Sequence, residues 1–249
     1  MPVITTRREF RGAFTLIELL VVVFIIAILT ALSLAALTKI KSVAQGAYCA
    51  NSLHHLGAAT GMYLAENQQI YFPYVQAVPG GRIWYFGFES DTSASSSEGD
   101  RDIDITQSPL YPYIHQVGGV EVCPAFPYGV SEWKPKYRGA SWGYGYNTLL
   151  SSAHALALTQ PSQIIVFGDC AQVNTFQAPA SPKNPMLEEF YIIDSVQVTV
   201  HFRHGARANM LFADGHVESL PMARGTRDTR IPDANIGRIT PAGSTQYLK

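Results

Sequence analysis

From Leu19 to Leu37 the chain carries no charged residue, and Leu, Ile, Val, Phe and Ala fill the run with only Thr30 and Ser33 as polar interruptions. At about 1.5 Å per residue, a helix of this length crosses a hydrocarbon core of about 30 Å. The sequence therefore opens with an apolar helix, and every other part of the fold has to accommodate it. Glu18 stands at its front edge. A carboxylate beside a membrane-spanning run is costly to bury and is a functional candidate by default.

Three readings compete for this segment. Arg7, Arg8 and Arg11 supply the basic leader of a secretory signal, and the small residues from Ala31 to Ala36 supply a cleavage site. The apolar run is too long for that reading, and Glu18 is wrongly placed. A single-pass anchor explains the length and, through the positive-inside rule, sets the amino terminus in the cytoplasm, but it gives Glu18 no task. The third reading rests on the order of basic leader, small residue, Phe14-Thr15-Leu16-Ile17-Glu18 and long apolar helix. That order resembles the amino-terminal segment of type IV prepilins and type II secretion pseudopilins.

The resemblance implies cleavage by a prepilin peptidase between Ala13 and Phe14, methylation of the new amino group, and docking of Glu18 on the Phe14 amine of a neighbouring subunit. Opposite charges attract far more strongly in a low-dielectric bundle than in water, so such a pair favours correct axial register. One departure is that the family usually has Gly immediately before the cut, whereas this chain has Ala13 there and Gly12 one place earlier.

No proline occurs between Pro2 and Pro73, so the helix extends beyond the apolar run. From Lys39 to Asn67, Val43, Tyr48, Leu53, Leu56, Ala59 and Tyr63 recur at helical spacing among polar residues, the pattern of an amphipathic helix. Gly46, Gly57 and Gly61 weaken it and mark bends or close packing. Strand-like runs follow at Gln163–Phe167, Val196–Phe202, Ala208–Ala213 and His216–Leu220, the last two joined by Asp214-Gly215, a strong two-residue hairpin signal. The expected fold is α+β and pilin-like, a long amino-terminal α-helix packed on a carboxy-terminal antiparallel β-sheet head. Its parts are a cytoplasmic leader (1–13), a transmembrane or filament-core helix (14–38), an amphipathic continuation (39–67), a globular β-rich head (68–220) and a tail (221–249).

A second resemblance lies in the head. His204, nine further residues and then Asp214-Gly215 look like the H-X9-DG motif of a large group of prepilin-like proteins, and the segments around Cys49, Cys123 ("VCPA") and Tyr144–Asn147 ("YGYN") match that group in order. The resemblance points to Cys49 with Cys123 as the disulfide; Cys170 is left over. His204, Asp214 and Gly215 read as structural, with Asp214 and Gly215 making the turn and His204 bonding backbone of a neighbouring loop. His201, His204, His216, Asp194 and Asp214 also invite a metal-site or hydrolase reading, but density along the sequence is not convergence. No C-x-x-C pair is present.

Asp100, Asp102 and Asp104 alternate as hard-cation ligands do, but the Gly and terminal Glu of an EF-hand loop are missing, so the Ser-rich, acidic block 88–107 is expected to be a flexible surface loop and the chain to hold no cofactor, with calcium as the alternative. The aromatic runs "GRIWYFGF" and "SWGYGYN" suit core packing more than a sugar-stacking face. A net charge of −1 and a pI near 6.6 give no basic face for nucleic acid. The functional expectation is a non-enzymatic pilin or pseudopilin subunit of the inner membrane. Its partners are its own copies in a filament, the prepilin peptidase, the inner-membrane assembly platform and membrane lipid. The rival is a membrane-anchored extracytoplasmic protein that binds carbohydrate or metal and does not polymerise.

Overall fold

The computed structural model describes residues 15–117, 119–120, 122–138 and 143–249. They divide into two compact units, one ending at Lys41 and the other spanning Ser42–Lys249. A single helix, α1 (Leu16–Glu66), contributes to both. Its bounds lie within two residues of those read from the apolar run and the amphipathic repeat.

In the first unit, apolar side chains from Leu16 and Ile17 through Leu34 and Leu37 are exposed. Length and composition make this part of α1 able to cross a membrane. Thr30 and Ser33 return their hydroxyls to the helix backbone, onto Ile26 O and Leu29 O, so neither leaves an unpaired polar group on the apolar surface.

The second unit holds β1 (Val75–Val78), β2 (Gly81–Trp84), β3 (Gly87–Ser90), β4 (Tyr144–Asn147), β5 (Ile165–Asp169) and β6 (Gln172–Asn174). Six more strands follow: β7 (Met186–Glu188), β8 (Ile192–Ile193), β9 (Val200–His201), β10 (Arg207–Phe212), β11 (Val217–Pro221) and β12 (Ile236–Gly237). The main sheet runs β11-β10-β5-β4-β8 and is antiparallel except where β4 meets β8. β1-β2-β3 form a separate antiparallel meander, and β6-β7 and β9-β12 are two-stranded pairs.

Period-two alternation along β10 sorts the core. Ala208, Met210 and Phe212 point into one cluster with Ile165, Ile193, Val200 and Phe202, while Leu211 points into another with Leu53, Leu56, Ala59, Tyr144, Tyr146 and Phe167. A register shift at Leu211/Phe212 breaks the pairing with β5. That bulge puts Val166 and Phe167 in the same helix-side cluster although they are adjacent. The buried stripe of α1 starts at Cys49 and runs through Leu53, Leu56, Ala59 and Leu64; Val43 and Tyr48 lie off it, exposed. At Gly57 helix and sheet approach closely, since a Cβ there would stand 2.9 Å from Leu211 Cδ1. Gly61 meets nothing within 4 Å.

The turn chemistry differs from the expected two-residue hairpin at Asp214-Gly215. Phe212 pairs with His216 through N–H to O, Gly215 N donates to Phe212 O, and Gly215 has a φ of +91° while Asp214 has no positive φ. This is a three-residue loop closed by a glycine in the left-handed region. A hairpin turn with two positive φ values occurs instead at Gly205-Ala206, at +60° and +62°, closed by reciprocal bonds between His204 and Arg207 backbones.

Residues beyond 220 are part of the head. Pro221 ends β11, β12 pairs with β9, Ile165 N donates to Tyr247 O at 2.7 Å, and Leu248 is buried. Asn147 secures this end. Its buried amide donates to Ile165 O at 2.8 Å and Leu248 O at 3.0 Å, and its Oδ1 accepts from Leu149 N at 3.1 Å. Asn147→Ala strands these buried groups and is expected to cost about 1–3 kcal/mol. Denaturant titration gives the loss, and faster hydrogen exchange at the Leu149 amide locates it.

Candidate functional site

Two places carry chemistry. The first is the start of α1. Thr15 and Glu18 form a reciprocal capping box: Glu18 Oε2 accepts from Thr15 N at 2.8 Å and from Thr15 Oγ1 at 2.7 Å, while Thr15 Oγ1 accepts from Glu18 N at 3.3 Å. Sequence reasoning missed this, although Thr15-Leu16-Ile17-Glu18 is the T-x-x-E pattern that signals it. Glu18 therefore has an intramolecular task even in a plain anchor. The expected processing residues Ala13 and Phe14 lie outside the described residues.

The second place is buried on the helix face of the main sheet. Register sets Asp169, the last residue of β5, opposite Asn209 of β10, one step beyond the Gly168–Met210 pair. Asn209 N donates to Asp169 Oδ2 at 2.8 Å, and the Asn209 amide reaches Gly46 O at 3.1 Å, which ties strand to helix. Cys49 comes from the buried stripe of α1, and its thiol lies 3.0 Å from Asp169 Oδ1. Cys123 sits in a turn closed by Phe126 N to Cys123 O, with the adjoining Pro124 O held by Gln45 of α1 at 2.9 Å. His204 precedes the Gly205-Ala206 turn. Its Nε2 stands 3.4 Å from Cys123 Sγ and 3.3 Å from Asp169 Oδ2.

Arg203 closes the charge balance. Its guanidinium donates twice to Asp169 Oδ1, at 2.6 Å and 3.1 Å, once to Gly143 O at 3.1 Å, and lies 3.2 Å from His201 Nδ1. Both side chains are essentially inaccessible. Burial alone raises a carboxyl, yet Arg203 and His204 hold Asp169 well below the usual carboxylate range. His204 is disfavoured as a cation by burial, but Asp169 and Cys123 outweigh that and push it up to about 9. Hydrogen bonding from Cys49, and then His204 and Arg203, bring the Cys123 thiol down to about 5 against its burial. Cys49 itself goes up, through burial first and then through Cys123 and Asp169. His201, buried beside Arg203, falls to about 3.

This geometry corrects the expectation that His204 bonds a loop backbone: its ring faces Asp169 and Cys123. It also scatters the other residues grouped with it. His216 pairs with Asp214 at 2.6 Å on the hairpin and stacks on Phe212. Asp194 caps its own turn through Val196 N and Gln197 N. Asp100, Asp102 and Asp104 do not converge: Asp104 accepts from Thr106 and Gln107, and Asp102 faces Arg138. Among the described residues, one group of four metal-ligating side chains converges, Cys49, Cys123, Asp169 and His204. Cys49 and Cys123, the expected disulfide pair, are thus brought together, but all three cysteines stand as free thiols. Asp169 and Arg203 went unnoticed in the sequence. The available signal was a carboxylate ending the apolar run "QIIVFGD" and an arginine inside "HFRH".

A nucleophilic triad does not match this arrangement. Cys123 and Asp169 both lie on Nε2 of His204, whereas a triad places the nucleophile and the orienting carboxylate on opposite ring nitrogens. Neither thiol is exposed, at 0% each. Of the aromatic runs, Tyr85, Phe86, Tyr144 and Tyr146 are buried in the core while Trp84 and Phe88 are half-buried, and Ser141 and Trp142 lie outside the described residues.

Residues 11–34 match the family model of the prokaryotic N-terminal methylation motif. No curated protein and no solved structure matches the chain. The motif, at the head of an α+β fold that opens on a long helix, marks a type IV prepilin- or pseudopilin-like protein.

Proposed function

We propose that the protein is a non-enzymatic pilin or pseudopilin subunit, cut between Ala13 and Phe14 by a prepilin peptidase and methylated on the new amino group. The match of residues 11–34 to the methylation motif carries this reading. Before assembly the chain sits in the inner membrane with its leader in the cytoplasm and its head outside, the orientation that Arg7, Arg8 and Arg11 favour. Assembly then draws α1 from lipid into a polymer. The apolar side chains exposed from Leu16 to Leu37 need a cover of lipid or of neighbouring copies, and the platform that extracts the subunit exchanges one for the other. Cleavage before Phe14 leaves Thr15 with an amide nitrogen, so the capping box survives processing.

The test is intact-mass and amino-terminal peptide analysis of protein isolated from its native membrane and sheared-surface fractions. A chain starting at Phe14 with one added methyl is expected. An intact leader, or a cut near Ala36, overturns the reading.

A further inference from the structure

We infer that Cys49, Cys123, His204 and Asp169 form a structural site for a thiophilic divalent cation, zinc by donor chemistry, that clamps α1 to the sheet and to the Cys123 loop. The four ligand atoms lie within 4.8 Å of one another although they come from the long helix, a loop, the end of β5 and the turn before β10. Zinc bound at about 2.0–2.3 Å to sulfur, nitrogen and oxygen sets its tetrahedral ligands roughly 3.3–3.8 Å apart. The distances here are 3.0 Å between Cys49 Sγ and Asp169 Oδ1, 3.4 Å between Cys123 Sγ and His204 Nε2, and 3.3 Å between His204 Nε2 and Asp169 Oδ2. The other pairs lie within 4.8 Å, so admitting the ion takes contractions of up to about 1 Å on the longest edges and smaller shifts on the rest.

Hydrogen bonding explains the cluster less well. Nε2 carries at most one proton, yet it faces both a sulfur and a carboxylate oxygen. A cation at the centre serves all four donors at once. A Cys49–Cys123 disulfide uses the two sulfurs and gives no reason for His204 and Asp169 to meet there. The surrounding shell is also that of a metal centre. Arg203 and Asn209 N fix the carboxylate from outside. Two thiolates, one carboxylate and a neutral imidazole around a dication carry one net negative charge, which the Arg203 guanidinium neutralises. Two sulfurs with one nitrogen and one oxygen select zinc over calcium or magnesium. Four protein ligands and no exposed sulfur make the site closed, hence structural. None of this depends on filament assembly.

The experiment uses the full chain in mild detergent. Zinc is measured by elemental analysis, and the metal-free reduced protein is titrated with cobalt(II). About one zinc per chain is expected, with the intense visible bands of tetrahedral cobalt and a thiolate-to-cobalt charge-transfer band. Cys123→Ser and His204→Ala are expected to lower metal content to about a tenth or less, and Cys170→Ser to leave it unchanged. Chelation is expected to lower the melting temperature of the wild type but not of His204→Ala. If a variant does not fold, the wild-type cobalt spectrum decides alone, because the charge-transfer band requires sulfur ligation. Folded, reduced wild-type protein that takes up neither ion overturns the proposal, and so does a Cys49–Cys123 disulfide found by alkylation and mass analysis of protein taken directly from the cell.

Discussion

Glu18→Gln is expected to leave membrane insertion and the helix start intact and to reduce filaments at least roughly tenfold, as severely as Glu18→Ala. The two substitutions separate the observed capping task of the carboxylate from the docking task proposed for it. Within the subunit, Glu18 caps α1 by accepting from Thr15 N and Thr15 Oγ1. A glutamine oxygen accepts the same bonds, so Gln preserves the capping box while Ala removes it. Between subunits, the proposed task needs charge, because the Phe14 amine of a neighbour is a cation and a neutral amide leaves it unpaired among apolar helices. Thr15→Ala is the complement: it weakens the cap and keeps the carboxylate. Filament yield in sheared fractions, compared with subunit level in the membrane, reads all three variants. Loss in Gln and Ala with only a mild defect in Thr15→Ala supports assembly by charge pairing. Wild-type filaments in Gln would reduce Glu18 to a helix cap and remove its role in docking.

Glu18 is legible in the sequence as a carboxylate at the edge of an apolar run, and the structure adds a helix-capping task to the docking task proposed for it. The apolar run made a carboxylate at its edge conspicuous, yet the T-x-x-E pattern beside it was overlooked. The span of α1 was legible because helical periodicity is local and no proline interrupts it. So were β5, β10 and β11, whose alternation survives in the burial of Ala208, Met210 and Phe212 against Leu211. The turn type was not, because Asp-Gly serves two- and three-residue loops alike and only strand register distinguishes them. Nor was the Cys49, Cys123, Asp169 and His204 cluster: four segments far apart in sequence meet there, and convergence leaves no periodic trace. The C-terminal tail was unreadable for the same reason, since its anchors are the backbones of Tyr247 and Leu248, whose partners Ile165 and Asn147 lie far upstream.

A second large effect lies in the head's buried charge network, and Lys134→Met is expected to lower its melting temperature by roughly 6–20 °C. Lys134 is 1% exposed, and its Nζ lies 2.9 Å from Glu188 Oε2 and 3.3 Å from Glu98 Oε2. Lys136 also reaches Glu188, at 3.5 Å, while Arg101 spans Glu89 and Glu98. Methionine fills the space of the lysine stem but leaves Glu188 with one cation instead of two. Glu98 Oε2, which accepts no hydrogen bond among the described residues, loses Lys134, and the Glu98 carboxylate keeps only Arg101 on its other oxygen. Breaking one member of a buried network of this kind costs about 3–5 kcal/mol. The pH dependence identifies the cause. Burial raises the Glu188 carboxyl, but Lys136, Lys134 and the Gln172 amide outweigh it and hold the group below its usual value. A carboxyl depressed in the folded state contributes stability that is complete above the unfolded pKa of about 4.3 and is lost as pH falls through the folded value. Without Lys134, burial weighs more heavily, the folded pKa rises, and protonation no longer costs the variant what it costs the wild type. The gap between the two melting temperatures is therefore expected to be widest near pH 7 and to narrow below about pH 4.3. A gap that stays constant with pH would assign the loss to packing around the methionine and exclude the charges as its source.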